Sequence, residues 1–146
     1  MDKIRVKGVC LGLIVASFLD FAFGFALGFV EAYTARPRPT TQQQLEALVA
    51  RMLLDDNVLI MILVVGTFTT VFGGYLAGRF APDAPVLNAL CCGLLGCAAC
   101  FVFYDPKLPP WFNITGIASI LPATLLGGYL ADGRDAEESG GLETFV

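Results

Sequence analysis

One ionisable side chain sits where a membrane-spanning chain can least easily keep it. Asp20 is the only charged residue within four long apolar stretches of a 146-residue sequence. At about 1.5 Å of rise per residue it lies roughly 20 Å along a helix from Val6. That places it inside a hydrocarbon zone, where a carboxylate costs about 2.5–3.5 kcal/mol on insertion scales. Two kinds of chemistry fit such a residue. It can be a proton or cation site on a transport path. Alternatively, its carboxyl can hold helices together, by hydrogen bonding to Thr67, Thr69, Thr70 or Thr124 or by pairing with a charge on another subunit. No second acidic residue falls near the middle of a span, which favours the holding role. On a helix, Ser17, Asp20, Gly24, Gly28 and Glu31 share one narrow stripe, and Phe18, Phe21, Phe25 and Phe29 form a bulky neighbour. The small, polar stripe is expected to face protein, and the phenylalanines lipid or a second partner.

Cysteine is the other reactive type present, at positions 10, 91, 92, 97 and 100. Cys97 and Cys100 share a helix face, but Cys91 and Cys92 stand too far round a straight helix to converge with them on one ion. The expected role is that of a small apolar packing residue, with no metal and no cofactor bound. Histidine is absent, which excludes bis-histidine haem. No nucleophile–base pair or glycine-rich phosphate loop is present either, so the chain is not expected to be an enzyme. A formal net charge of −4 with an acidic tail argues against nucleic-acid binding.

The elements that must position these residues are read from composition. The chain is 56% hydrophobic and 15% charged, with a mean hydropathy of +0.72, against roughly 25% charged residues in soluble domains. Spanning a core of about 30 Å takes about 20 residues, and four segments suffice: Gly8 to Val30, Val58 to Gly78, Val86 to Tyr104 and Phe112 to Ala131. The first is longer than a signal-peptide core of 7 to 15 residues, so it is expected to remain as a span. The fold expected is an all-α integral membrane four-helix bundle, surrounded by membrane lipids.

Lys3, Arg5, Lys7, Arg79 and Arg134 fall on one side, and Arg36, Arg38, Arg51 and Lys107 on the other. Lys7, Arg79 and Arg134 sit right at span ends, which places both termini in the cytoplasm. Tyr75 and Tyr129 then mark the inner interface, and Tyr33, Tyr104 and Trp111 the outer one. The last two spans are joined by a short, proline-bearing loop, Asp105 to Trp111, and must be antiparallel neighbours. The first two are joined by residues 31–57. There Arg36-Pro37-Arg38-Pro39 should be extended, and Thr41 with Gln44 forms a capping box. Leu45, Leu48, Val49, Met52 and Leu53 then recur at helical spacing, so a short amphipathic helix is expected over about 41–55. The acidic tail, residues 132–146, is expected to be disordered.

A repeated phrase organises the whole. Gly73-Gly74-Tyr75-Leu76-Ala77-Gly78-Arg79 returns as Gly127-Gly128-Tyr129-Leu130-Ala131-Asp132-Gly133-Arg134, with Thr70 and Thr124 at matching places before it. A fainter echo links Gly8-Val9-Cys10-Leu11-Gly12-Leu13 with Ala89-Leu90-Cys91-Cys92-Gly93-Leu94. Together they predict two duplicated helical hairpins whose corresponding helices run in the same direction. The paired spacings Gly8/Gly12, Gly24/Gly28 and Gly74/Gly78, together with Gly127 and Gly128, let backbones approach closely and mark the expected helix-packing positions. The run from Gly73 to Arg79, the short acidic proline-bearing turn and Leu87-Asn88-Ala89-Leu90 resemble small four-span bacterial inner-membrane proteins of uncharacterised function. That resemblance covers the last three spans and implies topology and the bacterial inner membrane rather than an activity. The function expected is non-catalytic: an accessory or assembly subunit packed on a larger membrane complex. The alternative is a small homo-oligomeric transporter or channel using Asp20.

Overall fold

A computed structural model describes residues 4–35, 39–102 and 105–140, with 134–140 as backbone alone. The helices are α1 (Val6–Thr34), α2 (Gln42–Met52), α3 (Asp56–Arg79), α4 (Pro85–Val102) and α5 (Pro110–Gly140). Four of them, α1, α3, α4 and α5, are long and apolar enough to cross a membrane. The fold is an all-α membrane bundle. Prolines open α4 and α5, where a missing N–H costs nothing because first-turn amides lack helical partners. Pro109 supplies the carbonyl that Phe112 and Asn113 donate to, at 3.0 and 3.3 Å. Lys107 N–H donates to the Asp105 carboxylate at 2.9 Å, and the Asn113 side chain to the Asp105 carbonyl at 3.2 Å. The short loop is therefore pinned from within.

α3 is the central helix, flanked by α1 and α5, and α4 touches all three. The direction of each pair follows from which residues meet. Gly8 faces Ala77 and Gly12 faces Gly73, so α1 and α3 are antiparallel. Gly116 faces Leu63, Gly74 faces Thr124 and Gly78 faces Ala131, so α3 and α5 run in the same direction, as a duplicated hairpin requires. The copies are not perfect. Gly12 rests on Gly73, whose counterpart in the repeat is Gly127, yet Gly93 rests on Thr124 instead. The second hairpin has thus slid by about one helical turn relative to the first.

Burial is inverted relative to a soluble protein. The interior holds small residues, with Ala77, Ala89 and Ala131 fully buried, whereas Phe21, Phe68 and Phe101 are about 70% exposed. In water such a surface would be an aggregation hazard. In lipid, whose tails are as apolar as leucine, large side chains gain nothing by hiding. Close packing of small ones is what joins the helices.

α2 is shorter than its sequence pattern predicts. The Thr41 hydroxyl accepts from Gln44 N–H at 3.3 Å, and the Gln44 side-chain oxygen accepts from Thr40 N–H at 2.9 Å. This is a capping box whose return bond lands one residue early. The helix stops at Met52 because Asp55 is taken as the N-cap of α3, accepting from Asn57 N–H at 2.9 Å. None of its residues is buried. α5, in turn, continues past Ala131 to Gly140, where the sequence predicts a disordered tail. Extending an existing helix needs no new nucleus, so the acidic segment can follow the span as helix. Residues 141–146, the Arg36-Pro37-Arg38 stretch and Tyr104 lie outside the described residues.

Candidate functional site

The position of Asp20 is set by glycines about two to three turns away. A Cβ on Gly8 would stand 3.0 Å from the Ala77 carbonyl oxygen, and one on Gly73 would stand 2.9 Å from both Ala16 Cβ and the Gly12 carbonyl. Only glycine permits this approach, and it fixes the register of α1 on α3. Carried forward along antiparallel helices, that register brings Asp20 opposite Gly66 and one turn from Thr69. The Asp20 carboxylate accepts a hydrogen bond from the Thr69 hydroxyl, which also lies 2.9 Å from the Gly66 carbonyl.

Of the four threonines that the sequence offers as partners, the tertiary structure selects Thr69. Thr67 donates to Leu63 O at 2.8 Å, Thr70 to Gly66 O at 2.7 Å and Thr124 to Ile120 O at 2.9 Å, each closing a bond within its own helix. Thr124 is buried between Gly74 of α3 and Gly93 of α4.

Beyond Asp20 the glycines of α1 lose close contact. A Cβ at Gly24 or Gly28 would meet nothing within 4 Å, and Ser17 and Asp20 are exposed. Within this chain the small, polar stripe thus meets protein at Asp20 through Thr69 and at Glu31 on a cavity wall, and not through Gly24 or Gly28. Opposite Gly8, Gly12 and Asp20 of α1, α3 presents Ala77, Gly73 and Gly66. Gly74, Gly127 and Gly128, by contrast, lie in tight interfaces. A Cβ on Gly74 would stand 2.7 Å from Thr124 Cα, one on Gly127 2.5 Å from Tyr75 N, and one on Gly128 2.5 Å from Ala89 Cβ. Gly78 packs against Ala131 and Pro85.

At the distal end, a cavity of about 610 Å³ lies between the end of α1, α2 and the start of α3, with Glu31, Thr34, Gln44, Arg51 and Asp55 on its wall. The cysteines are free thiols. Cys92 is buried against Val9 and Ala77 with Cys91 beside it, and the Cys97 sulfur lies 4.0 Å from Ile117 O. Among the described residues no three metal-ligating side chains stand together.

Asn88 and Arg5 form a linkage that the sequence does not announce. Asn88, fully buried, accepts the Arg5 backbone N–H at 2.7 Å through Oδ1 and donates to Ala84 O at 2.8 Å. The Arg5 guanidinium meets the Asp83 carboxylate at 2.7 Å. Arg5 is the N-cap of α1 and has no side-chain cap bond of its own, so α4 supplies the partner that α1 lacks. An amide at the start of an apolar run was the one available signal, and it reads equally well as a local cap. No family model, curated protein or solved structure matches the chain.

Proposed function

We propose that this protein is a non-catalytic accessory subunit of a bacterial inner membrane, with both termini in the cytoplasm, that packs on a larger membrane complex and stabilises it or aids its assembly. One observation carries the reading. On the distal half of α1 a Cβ at Gly24 or Gly28 would meet nothing within 4 Å, and Phe21, Phe25 and Phe29 are largely exposed, while its basal half is locked into the bundle through Gly8 and Gly12. A helix with glycines spaced for close contact on both halves, yet closely packed through them on one, is matched to a surface elsewhere. The expected result is that mild-detergent extraction from native membranes yields the chain with larger membrane proteins in fixed ratio. A lone, monodisperse species would count decisively against it.

A second reading rests on Asp20 with Thr69 and the polar cavity distal to them. In it the chain is a small homo-oligomeric transporter or channel, since four helices around a core of alanine and glycine enclose no hydrophilic route by themselves. Proton flux into liposomes containing the purified chain is then expected, with a large loss in Asp20→Asn. Equal flux in wild type and variant sinks this alternative.

A further inference from the structure

We propose that the open face of α1 around Asp20 is the docking site for a transmembrane helix of another protein, one that carries a lysine or arginine at the depth of Asp20. The inference rests on the accessory-subunit reading and names the chemistry of its partner. Three observations converge on it. Asp20 is exposed at hydrocarbon depth, with one oxygen held by Thr69 and no hydrogen bond to Oδ2 among the described residues. A carboxyl group in that position hydrogen-bonds, pairs with an opposite charge or lines a path, and the Thr69 bond leaves its second oxygen for the pairing. On the following turns Gly24 and Gly28 leave the helix surface bare, with no atom within 4 Å of where a side chain would begin. A second helix can thus lie directly against the backbone beside the acid.

The charge distribution of the chain decides which helix that is. The apolar runs 58–78, 86–104 and 112–131 contain no lysine or arginine, and the only charge in 8–30 is Asp20 itself. A second copy therefore brings to this face no cation at that depth, and packing the face on itself brings two carboxylates together, a repulsion that low dielectric strengthens. A partner with a basic side chain supplies the missing charge. Its long stem can also reach Oδ2 from a backbone held by Gly24 and Gly28.

The test uses the full-length chain, donor-labelled in phosphatidylcholine vesicles, and two acceptor-labelled synthetic helices. Both are polyleucine transmembrane peptides, one with a single central lysine and the other without. Energy transfer is expected to show the lysine helix binding about tenfold more tightly, equivalent to about 1.4 kcal/mol. Asp20→Asn should reduce the lysine helix to the level of the plain one. Gly24→Leu with Gly28→Leu should weaken binding of the lysine helix while leaving the bundle intact, because neither glycine touches it. Equal affinities for the two peptides, or an unaffected Asp20→Asn, overturn the proposal. Energy transfer between two copies of the chain that vanishes in the double glycine variant would also overturn it, by assigning the face to a second copy. Native co-purification separates the two levels. Companions that persist in both variants leave the accessory role standing and overturn this face as its site. A wild-type chain that purifies alone, yet still selects the lysine helix, supports the face and overturns the accessory role.

Discussion

Gly127→Ala is expected to loosen the whole bundle, although it adds a single methyl group to a helix that would otherwise welcome it. Gly127 lies in the contact between α3 and α5, the most extensive in the molecule. A Cβ there would stand 2.5 Å from the Tyr75 nitrogen and 2.9 Å from the Gly74 carbonyl carbon, with the Val71 carbonyl oxygen closer still. These are backbone atoms, so no rotamer change can clear the space and the helices must separate. Overpacking a well-filled interior costs about 1–3 kcal/mol where side chains can give way, and a backbone obstacle places this variant at or above the top of that range. The control is Gly24→Ala, which meets nothing within 4 Å and gains up to about 1 kcal/mol of helix propensity. Unfolding by sodium dodecyl sulfate in mixed micelles, followed through the fluorescence of Trp111, the single tryptophan, should show Gly127→Ala losing structure at a much lower detergent fraction than wild type. Gly24→Ala should match or exceed wild type. A Gly127→Ala curve superimposed on wild type would mean that α3 and α5 do not approach this closely.

Asn88→Ala is expected to free the start of α1, and to do so more severely than removal of the nearby ion pair. Asn88 is fully buried and its amide is engaged at both ends, by Arg5 N–H and by Ala84 O. Truncation leaves a cavity and removes the acceptor from the N-cap residue of α1, at a cost of about 1–3 kcal/mol for the broken buried bond. The Arg5–Asp83 pair is about half exposed on both sides and belongs to the class of exposed pairs that contribute about 0–1 kcal/mol. Asp83→Asn should therefore shift the unfolding curve little. Hydrogen exchange gives a local readout, since Gly8 and Val9 N–H donate to Arg5 O at 2.9 and 3.2 Å. Both amides should lose protection in Asn88→Ala and largely keep it in Asp83→Asn. The reverse order would show that the ion pair, not the amide, anchors the helix.

These variants mark what could and could not be read in advance. The span at Val58 to Gly78 corresponds to α3, Asp56–Arg79, because an uninterrupted apolar run bounded by Asp55 and Arg79 leaves no other place for the helix to begin and end. The parallel course of α3 and α5 was legible for a different reason. Two copies of Gly-Gly-Tyr-Leu-Ala, each at the end of an apolar run, imply the same exit direction. Asp20 was conspicuous by chemistry alone, yet four threonines were equivalent as its partner until the register of α1 on α3 was known. Gly24 and Gly28 looked identical in kind to Gly8 and Gly12, since spacing along one helix carries no information about the size of residues on the next.

By itself the sequence determined where the four long apolar helices lie, how many can cross a membrane, that they form two hairpins of one pattern, and that a single acid lies within them. Each of these is a one-dimensional property, set by hydropathy, length and local caps. Only the tertiary structure decided where the helices touch. Contact between apolar helices in lipid depends on the heights of side chains facing each other across the gap. Gly66, Gly73 and Ala77 let α1 close on α3 as far as Asp20, and Gly24 and Gly28 meet nothing beyond it. That difference leaves an intramembrane acid at the edge of an open face.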